Sequence, residues 1–141
     1  MAKARAGVTL IELLLVVALI TVIGAMSAPF AGQLYQRVIL EVDSNAVVAA
    51  LHKAQANAME GRGDSAWGIC LTGSIIRVYR GSCGSPAQKE DWAISSTVTV
   101  TGLSDTTFSR LRGEPSAART ITVSNLAGSK TINLNLGGGI W

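Results

Sequence analysis

The side chains that could carry chemistry are few: one carboxylate in an apolar run, two cysteines and a single histidine. Glu12 is the one charge between Gly7 and Phe30, in GVTLIELLLVVALITVIGAMSAPF. A carboxylate inside such a segment costs about 2.5–3.5 kcal/mol on insertion scales, so a functional role is its default reading. Cys70 and Cys83 either close a loop of about 14 residues, contributing about 3 kcal/mol through loop-closure entropy, or stand apart as a buried strand thiol and a free turn thiol. The bridge is the favoured reading, and it requires Gly81 to Cys83 to fold back onto the strand that holds Cys70. No C-x-x-C and no second histidine accompany them, which supports neither a zinc site nor a redox motif. His52, beside Lys53, reads as a solvated or interface residue of a helix with no catalytic partner. The serines and threonines alternate with apolar residues as strand exteriors. No nucleophile elbow or phosphate-cradling glycine pattern occurs, and Gly137 to Gly139 reads as a flexible stretch. An enzyme has no supporting constellation, and no cofactor or metal is expected.

The element that must position Glu12 is the apolar run itself. Val8 to Phe30 is 23 residues; as a helix it rises roughly 35 Å, enough to cross the hydrocarbon of a bilayer. MAKARAG ahead of it is a short basic segment of the kind retained on the cytoplasmic side. Ala25-Met26-Ser27 offers a small-x-small site of the secretory kind. Against that reading, the run is long for a signal peptide and Glu12 would fall within its core. The net charge of +3 is mostly a property of Lys3 and Arg5. Without residues 1–7 the chain has ten basic against nine acidic residues, a net +1 that argues little for nucleic acid. Arg77, Arg80, Arg110, Arg112, Arg119 and Lys130 make the second half mildly basic. With few aromatic residues among them, a solvated face is the expectation.

Downstream, Pro29 removes a rung of the helix ladder and predicts a kink or short melt near Gly24 to Pro29 rather than a full stop. Apolar residues at Leu34, Val38, Val42, Val47, Leu51, Ala54 and Ala58 lie close to helical spacing, and neither Gly nor Pro interrupts Gln33 to Glu60. A helix from Val8 to Glu60 would form a stalk of about 80 Å, with one stripe of its second half packed on a C-terminal domain. Gly61-Arg62-Gly63-Asp64-Ser65 ends it, Gly61 supplying a left-handed cap. Arg62-Gly63-Asp64 is also the tripeptide that animal integrin receptors recognise; a glycine-rich turn is the principal reading, adhesion a subordinate one. Beyond Trp67 the period changes to two. Trp67–Leu71 and Ile75–Arg80 flank Thr72-Gly73-Ser74 as a hairpin. Further strands are expected over Trp92–Gly102, with Val98 and Val100 inward, and over Asp105–Arg110, Arg119–Ser124 and Thr131–Leu136. The class is α+β: a long N-terminal helix, its first half transmembrane, with a small antiparallel sheet domain packed on its second half. The divisions are residues 1–7 as leader, 8–30 as membrane half, 31–61 as amphipathic half and 62–141 as the β-rich domain.

Gly7-Val8-Thr9-Leu10-Ile11-Glu12-Leu13, behind a basic leader and ahead of an uninterrupted apolar run, resembles the prepilin signature of type IV pilins and type II secretion pseudopilins. The resemblance implies cleavage between Gly7 and Val8 by a dedicated prepilin peptidase, which also N-methylates the new first residue, Val8. Glu12 then becomes the fifth residue of the mature chain and Pro29 the twenty-second, where the family commonly carries a proline. Val8 stands where the family most often has phenylalanine. The order of the later segments, TTFSRLRGEPSAARTITV and then KTINLNLGGGIW, resembles the GspH/FimT branch more loosely. Some relatives contact DNA through basic residues near the C-terminus; this chain ends Gly137-Gly138-Gly139-Ile140-Trp141 without arginine, so that property is not carried over. The implied partners are other pilin subunits, the peptidase and an inner-membrane assembly platform. The implied place is the bacterial inner membrane, with the C-terminal domain outside the cytoplasm, followed by a periplasmic or extracellular filament. The physical chemistry agrees: the Val8 amine would be a cation, and Glu12 in an apolar bundle needs a partner or must give up its charge. Pairing with a neighbour's amine would set the axial stagger between subunits. A membrane-anchored binding module that does not polymerise, for DNA uptake or adhesion, is the alternative.

Overall fold

The computed structural model describes residues 8–141, apart from the side chains of residues 26–30. Two compact units meet in the chain at Tyr35 and Gln36. Helix α1, Leu10–Met59, contributes to both. Its start is set by Thr9: the Glu12 N–H donates to the Thr9 carbonyl at 3.1 Å and to Thr9 Oγ1 at 3.4 Å, which satisfies a donor that the first turn leaves over. The kink expected at Pro29 falls outside the described residues, as does the leader with Gly7. Among the described residues no helix is long and apolar enough to cross a membrane. Residues 10–25 by themselves rise about 24 Å, against about 30 Å of hydrocarbon.

In the second unit α1 gives way to Gly61, at φ +66°, and a 3₁₀ turn over Arg62–Asp64; glycine takes this left-handed conformation at little cost. The last turn of the helix keeps its carbonyls satisfied, since Ala58 O accepts the Leu111 N–H at 3.0 Å. Seven strands follow among the described residues: β1 Trp67–Thr72, β2 Ile75–Gly81, β3 Pro86–Ala93, β4 Thr99–Thr101, β5 Thr106–Phe108, β6 Arg119–Asn125 and β7 Gly128–Leu134. They form two antiparallel sheets, ordered β3-β2-β1-β5 and β4-β6-β7, where one was expected. The hairpin at Gly73-Ser74 is present, with Thr72 opposite Ile75.

The second sheet exists because the strand expected over Trp92–Gly102 is broken. Trp92 and Ala93 end β3, and Thr99–Thr101 pair with β6 instead. Between them the Ser95 hydroxyl accepts the Thr97 N–H at 3.4 Å and the Val98 N–H donates to Ser95 O at 3.0 Å. Such local bonds compete with a ladder, and Asp43 on α1 holds the turn by accepting the Ser95 N–H at 3.0 Å. Val98 and Val100 still pack against the core. The part of β3 before Trp92 has no counterpart among the expected strands, because PAQKED lacks β-branched residues and alternation. It is an edge strand, opened by Pro86 and charged at Lys89, Glu90 and Asp91, the composition by which edges resist further pairing. Strand β5 stops at Phe108 rather than Arg110, since Ser109 N–H turns to Glu114 O at 2.8 Å and Leu111 adopts φ +66°.

One core joins the helix to both sheets: Leu40, Val47, Leu51, Ala54 and Ala58 meet Ile69, Ile76, Val78 and Phe108 of the first and Ile121, Val123 and Ile132 of the second. The expected stripe is therefore corrected at its first half, for Leu34, Val38 and Val42 are 47–59% exposed. At 100° per residue these three point roughly 170° away from Val47, Leu51, Ala54 and Ala58; the five-residue step from 42 to 47 changes faces. Gly137 to Gly139 is corrected too. The chain folds back there, with Asn133 and Trp141 exchanging backbone hydrogen bonds at 2.8 and 3.2 Å and Asn135 N–H donating to Gly139 O at 3.0 Å. Gly138 has φ +82°, and a Cβ on it would lie 2.4 Å from Gln55 Nε2.

Candidate functional site

Among its described residues the first unit is helical, with no second element to pack on. Every large apolar side chain from Val8 to Ile23 is between 46% and 77% exposed, and these residues follow one another without a polar stripe. A helix that is apolar all round is the kind buried in lipid or among other helices. Glu12 sits in the first turn, where a carboxylate is favoured by the positive end of the helix dipole. Its carboxylate has no hydrogen bond or ion pair among the described residues; only its backbone N–H is engaged, by Thr9. The spacing Thr9-x-x-Glu12 is that of a capping box, a local signal that sequence reasoning passed over in favour of a role in register. Val8 is the first described residue and is exposed. What this arrangement offers is packing area with one carboxylate near its end.

In the second unit Cys70 and Cys83 are joined as a disulfide, their Cα atoms 6.3 Å apart. Cys70 lies on β1 opposite Arg77. The loop after β2 reaches it through Gly81, at φ +101°, and an irregularity in the register between Arg80 and Gly81. Around the bridge the outer face of the first sheet is polar. Arg77 donates to both oxygens of Asp91, at 2.7 and 3.1 Å, and to Cys83 O at 3.3 Å. Lys89 adds a bond to Asp91 at 3.1 Å. Led by the Arg77 hydrogen bonds, these hold the Asp91 carboxyl at about 2, and Asp91 in turn raises Arg77. Tyr79 lies across Gly68, where a Cβ would fall 2.4 Å from Cζ, and donates its hydroxyl to Asp105. Burial, then Asp105, push its pKa well above the ordinary phenol value.

The remaining sequence candidates are tied into the fold. Arg62 pairs with Glu60 at 2.7 Å, Gly63 O accepts from Arg80 at 3.1 Å and Asp64 pairs with Arg110, so each residue of the tripeptide has an internal partner. Arg112 pairs with Glu114. Lys130 pairs with Glu41, whose carboxyl it holds below the usual range. His52 is exposed on α1 and has no bond or ion pair among the described residues. No group of three or more His, Cys, Asp or Glu among the described residues could hold a metal ion. Surface clefts of 230–300 Å³ lie beside Glu114 and Pro115, beside Ile94 and Val98, and beside Arg119 and Trp141; none is lined by two ionisable side chains.

Sequence reasoning missed the polar residues that fasten the unit together. Gln55 Nε2 donates to Gly113 O at 3.1 Å and to Gly138 O at 3.0 Å, joining two loops remote in the chain. Asn125 Nδ2 donates to Gln36 O at 2.7 Å. Both belong to residue types ordinarily found on surfaces, and nothing in their local sequence marks them. No family model, curated protein or solved structure matches the chain.

Proposed function

We propose that this chain is a structural subunit of a type IV pilin-like filament, a pilus or a type II secretion pseudopilus, of the GspH/FimT kind. In this reading it enters the inner membrane through residues 8–30, is trimmed after Gly7, methylated on Val8, and withdrawn into a bundle of like helices. The observation that carries the reading is the exposure of the whole apolar surface of residues 8–23 around a single carboxylate that has no partner among the described residues. Burying these side chains out of water, in lipid or among like helices, contributes about 1.5–3 kcal/mol for each Leu, Ile or Val; once in lipid, association rests on side-chain packing and polar pairing between helices. Residues 26–30 supply the rest of the crossing that residues 10–25 fall short of.

Glu12 gives the packing its register. The nearest cation of the mature chain would be the Val8 amine, and a carboxylate in an apolar bundle is strongly destabilising when unpaired. Bonding to the amine of an adjacent subunit satisfies both charges and selects one axial offset. The sheet domain, whose core is complete without the first unit, is the part displayed outward. Glu12→Ala is expected to leave membrane insertion intact and to reduce incorporation into filaments at least tenfold, read by comparing membrane and sheared-filament fractions. Normal filament yield from that variant would refute the register role.

A further inference from the structure

One end of the second sheet holds a cleft of about 300 Å³ whose lining includes Arg119, Thr120, Asn133, Asn135 and Trp141. Thr120 lies opposite Asn133, and Asn133 exchanges two backbone hydrogen bonds with Trp141. The three therefore stand in one row across β6, β7 and the returning chain. Trp141 is 66% exposed although its backbone is fixed, which leaves an anchored indole largely open to solvent. Gly139 lets the Asn135 amide lie close to that ring: a Cβ on it would be 3.0 Å from Asn135 Nδ2 and 3.3 Å from Trp141 Cζ3. Asn133 Oδ1 accepts the Thr120 hydroxyl at 3.2 Å, and Asn135 Oδ1 accepts the Gly139 N–H at 2.7 Å. Both amide NH2 groups remain as donors without a partner among the described residues.

Arg119 supplies the charge. Its side chain makes no ion pair or hydrogen bond among the described residues, and its Nε is buried without an acceptor. No acidic residue lines the cleft. A buried guanidinium N–H left unmatched is costly, and the planar fork of arginine is matched by a carboxylate. The face of an indole is negative and attracts the weakly positive C–H edges of a saturated ring. Amide donors beside it suit hydroxyl and ring oxygens. A polyphosphate chain would instead call for several cations, and this cleft has one. We propose that the cleft binds an acidic polysaccharide, one uronic acid residue lying on Trp141 with its carboxylate on Arg119 and its hydroxyls on Asn133 and Asn135. The site lies wholly within the second unit and does not depend on the filament reading.

The test is calorimetric titration of the full chain, held in an uncharged detergent, with tetragalacturonate as the acidic saccharide. Maltotetraose is its neutral counterpart; tetraglutamate presents carboxylates without sugar rings, and an oligothymidylate presents phosphates. The expectation is saturable binding of tetragalacturonate, at least tenfold tighter than maltotetraose and tighter than either of the other acids. Trp141→Ala and Arg119→Gln should each weaken it at least fivefold at an unchanged melting temperature. Trp141 is exposed, so Trp141→Ala decides by itself if Arg119→Gln fails to fold. Absence of tetragalacturonate binding, or binding that either folded variant retains in full, overturns the proposal. Maltotetraose bound as tightly would remove the role of the Arg119 charge, and tighter binding of oligothymidylate or tetraglutamate would assign the cleft to nucleic acid or to acidic peptide. Each of these outcomes likewise overturns it.

Discussion

Asp91 shows how a single side chain can govern the acid limb of stability. Its two oxygens take both prongs of the Arg77 guanidinium and the Lys89 ammonium, which hold its carboxyl at about 2 where an unfolded aspartate titrates near 3.9. A depressed carboxyl contributes stability that is present above the unfolded value and is lost as pH falls through the folded one. The window is therefore from about pH 4 down to about pH 2. In urea titrations Asp91→Asn should be less stable than the parent at neutral pH, and the gap should close across that window; a gap constant from pH 6 to pH 2 would contradict the assignment. Gln55 works through geometry alone. Its amide serves Gly113 O and Gly138 O at once, and removing a donor strands buried acceptors at about 1–3 kcal/mol. Gln55→Ala should lower unfolding stability by that amount and speed hydrogen exchange in residues 135–141, whereas an unchanged denaturation midpoint would show the two loops to be held by other means.

At the scale of elements, α1 carries two apolar faces in its second half, of which the domain uses one. Leu51 is fully buried and Val42 is 59% exposed. Leu51→Ala should cost about 2–5 kcal/mol and Val42→Ala no more than about 0.5 kcal/mol, measured by denaturation of the same protein. Equal costs would mean that residues 36–59 are rotated from the position described. These elements also show what a sequence makes legible. The helix, its Gly61 cap and the first hairpin follow from local rules: an uninterrupted run without Gly or Pro, a glycine at the stop, and Gly73-Ser74 between two β-rich segments. What escaped was decided by partners distant in the chain. Strand β3 is built from Gln, Lys, Glu and Asp because an edge is served by charge rather than by propensity, and only the presence of β2 makes it a strand. The division into two sheets turns on Ser95 and Thr97 bonding locally and on Asp43, fifty-two residues earlier, receiving Ser95. The stripe from Leu34 to Ala58 misled because apolar residues on opposite faces were read as one.

At the scale of the molecule, the two units differ in how they satisfy their apolar surface. The second encloses its own core, adds a disulfide, and pairs most of its charges internally. The first presents exposed apolar side chains from Val8 to Ile23 and one carboxylate, the surface that the proposed bundle of like helices would cover. Within the candidate site, Glu12 stands out in the sequence as a charge in an apolar run, whereas Val8 is marked only by the resemblance to the prepilin signature. The Thr9 cap is less visible, since it lies in a motif already given another meaning. The central claim concerns processing of that first unit, and intact mass with N-terminal sequencing of protein from its native membrane or filament tests it most directly. The account predicts a chain beginning at Val8 and heavier by one methylene than the bare sequence. A chain beginning at Ala28 would mean that signal peptidase had removed the segment, and would contradict it.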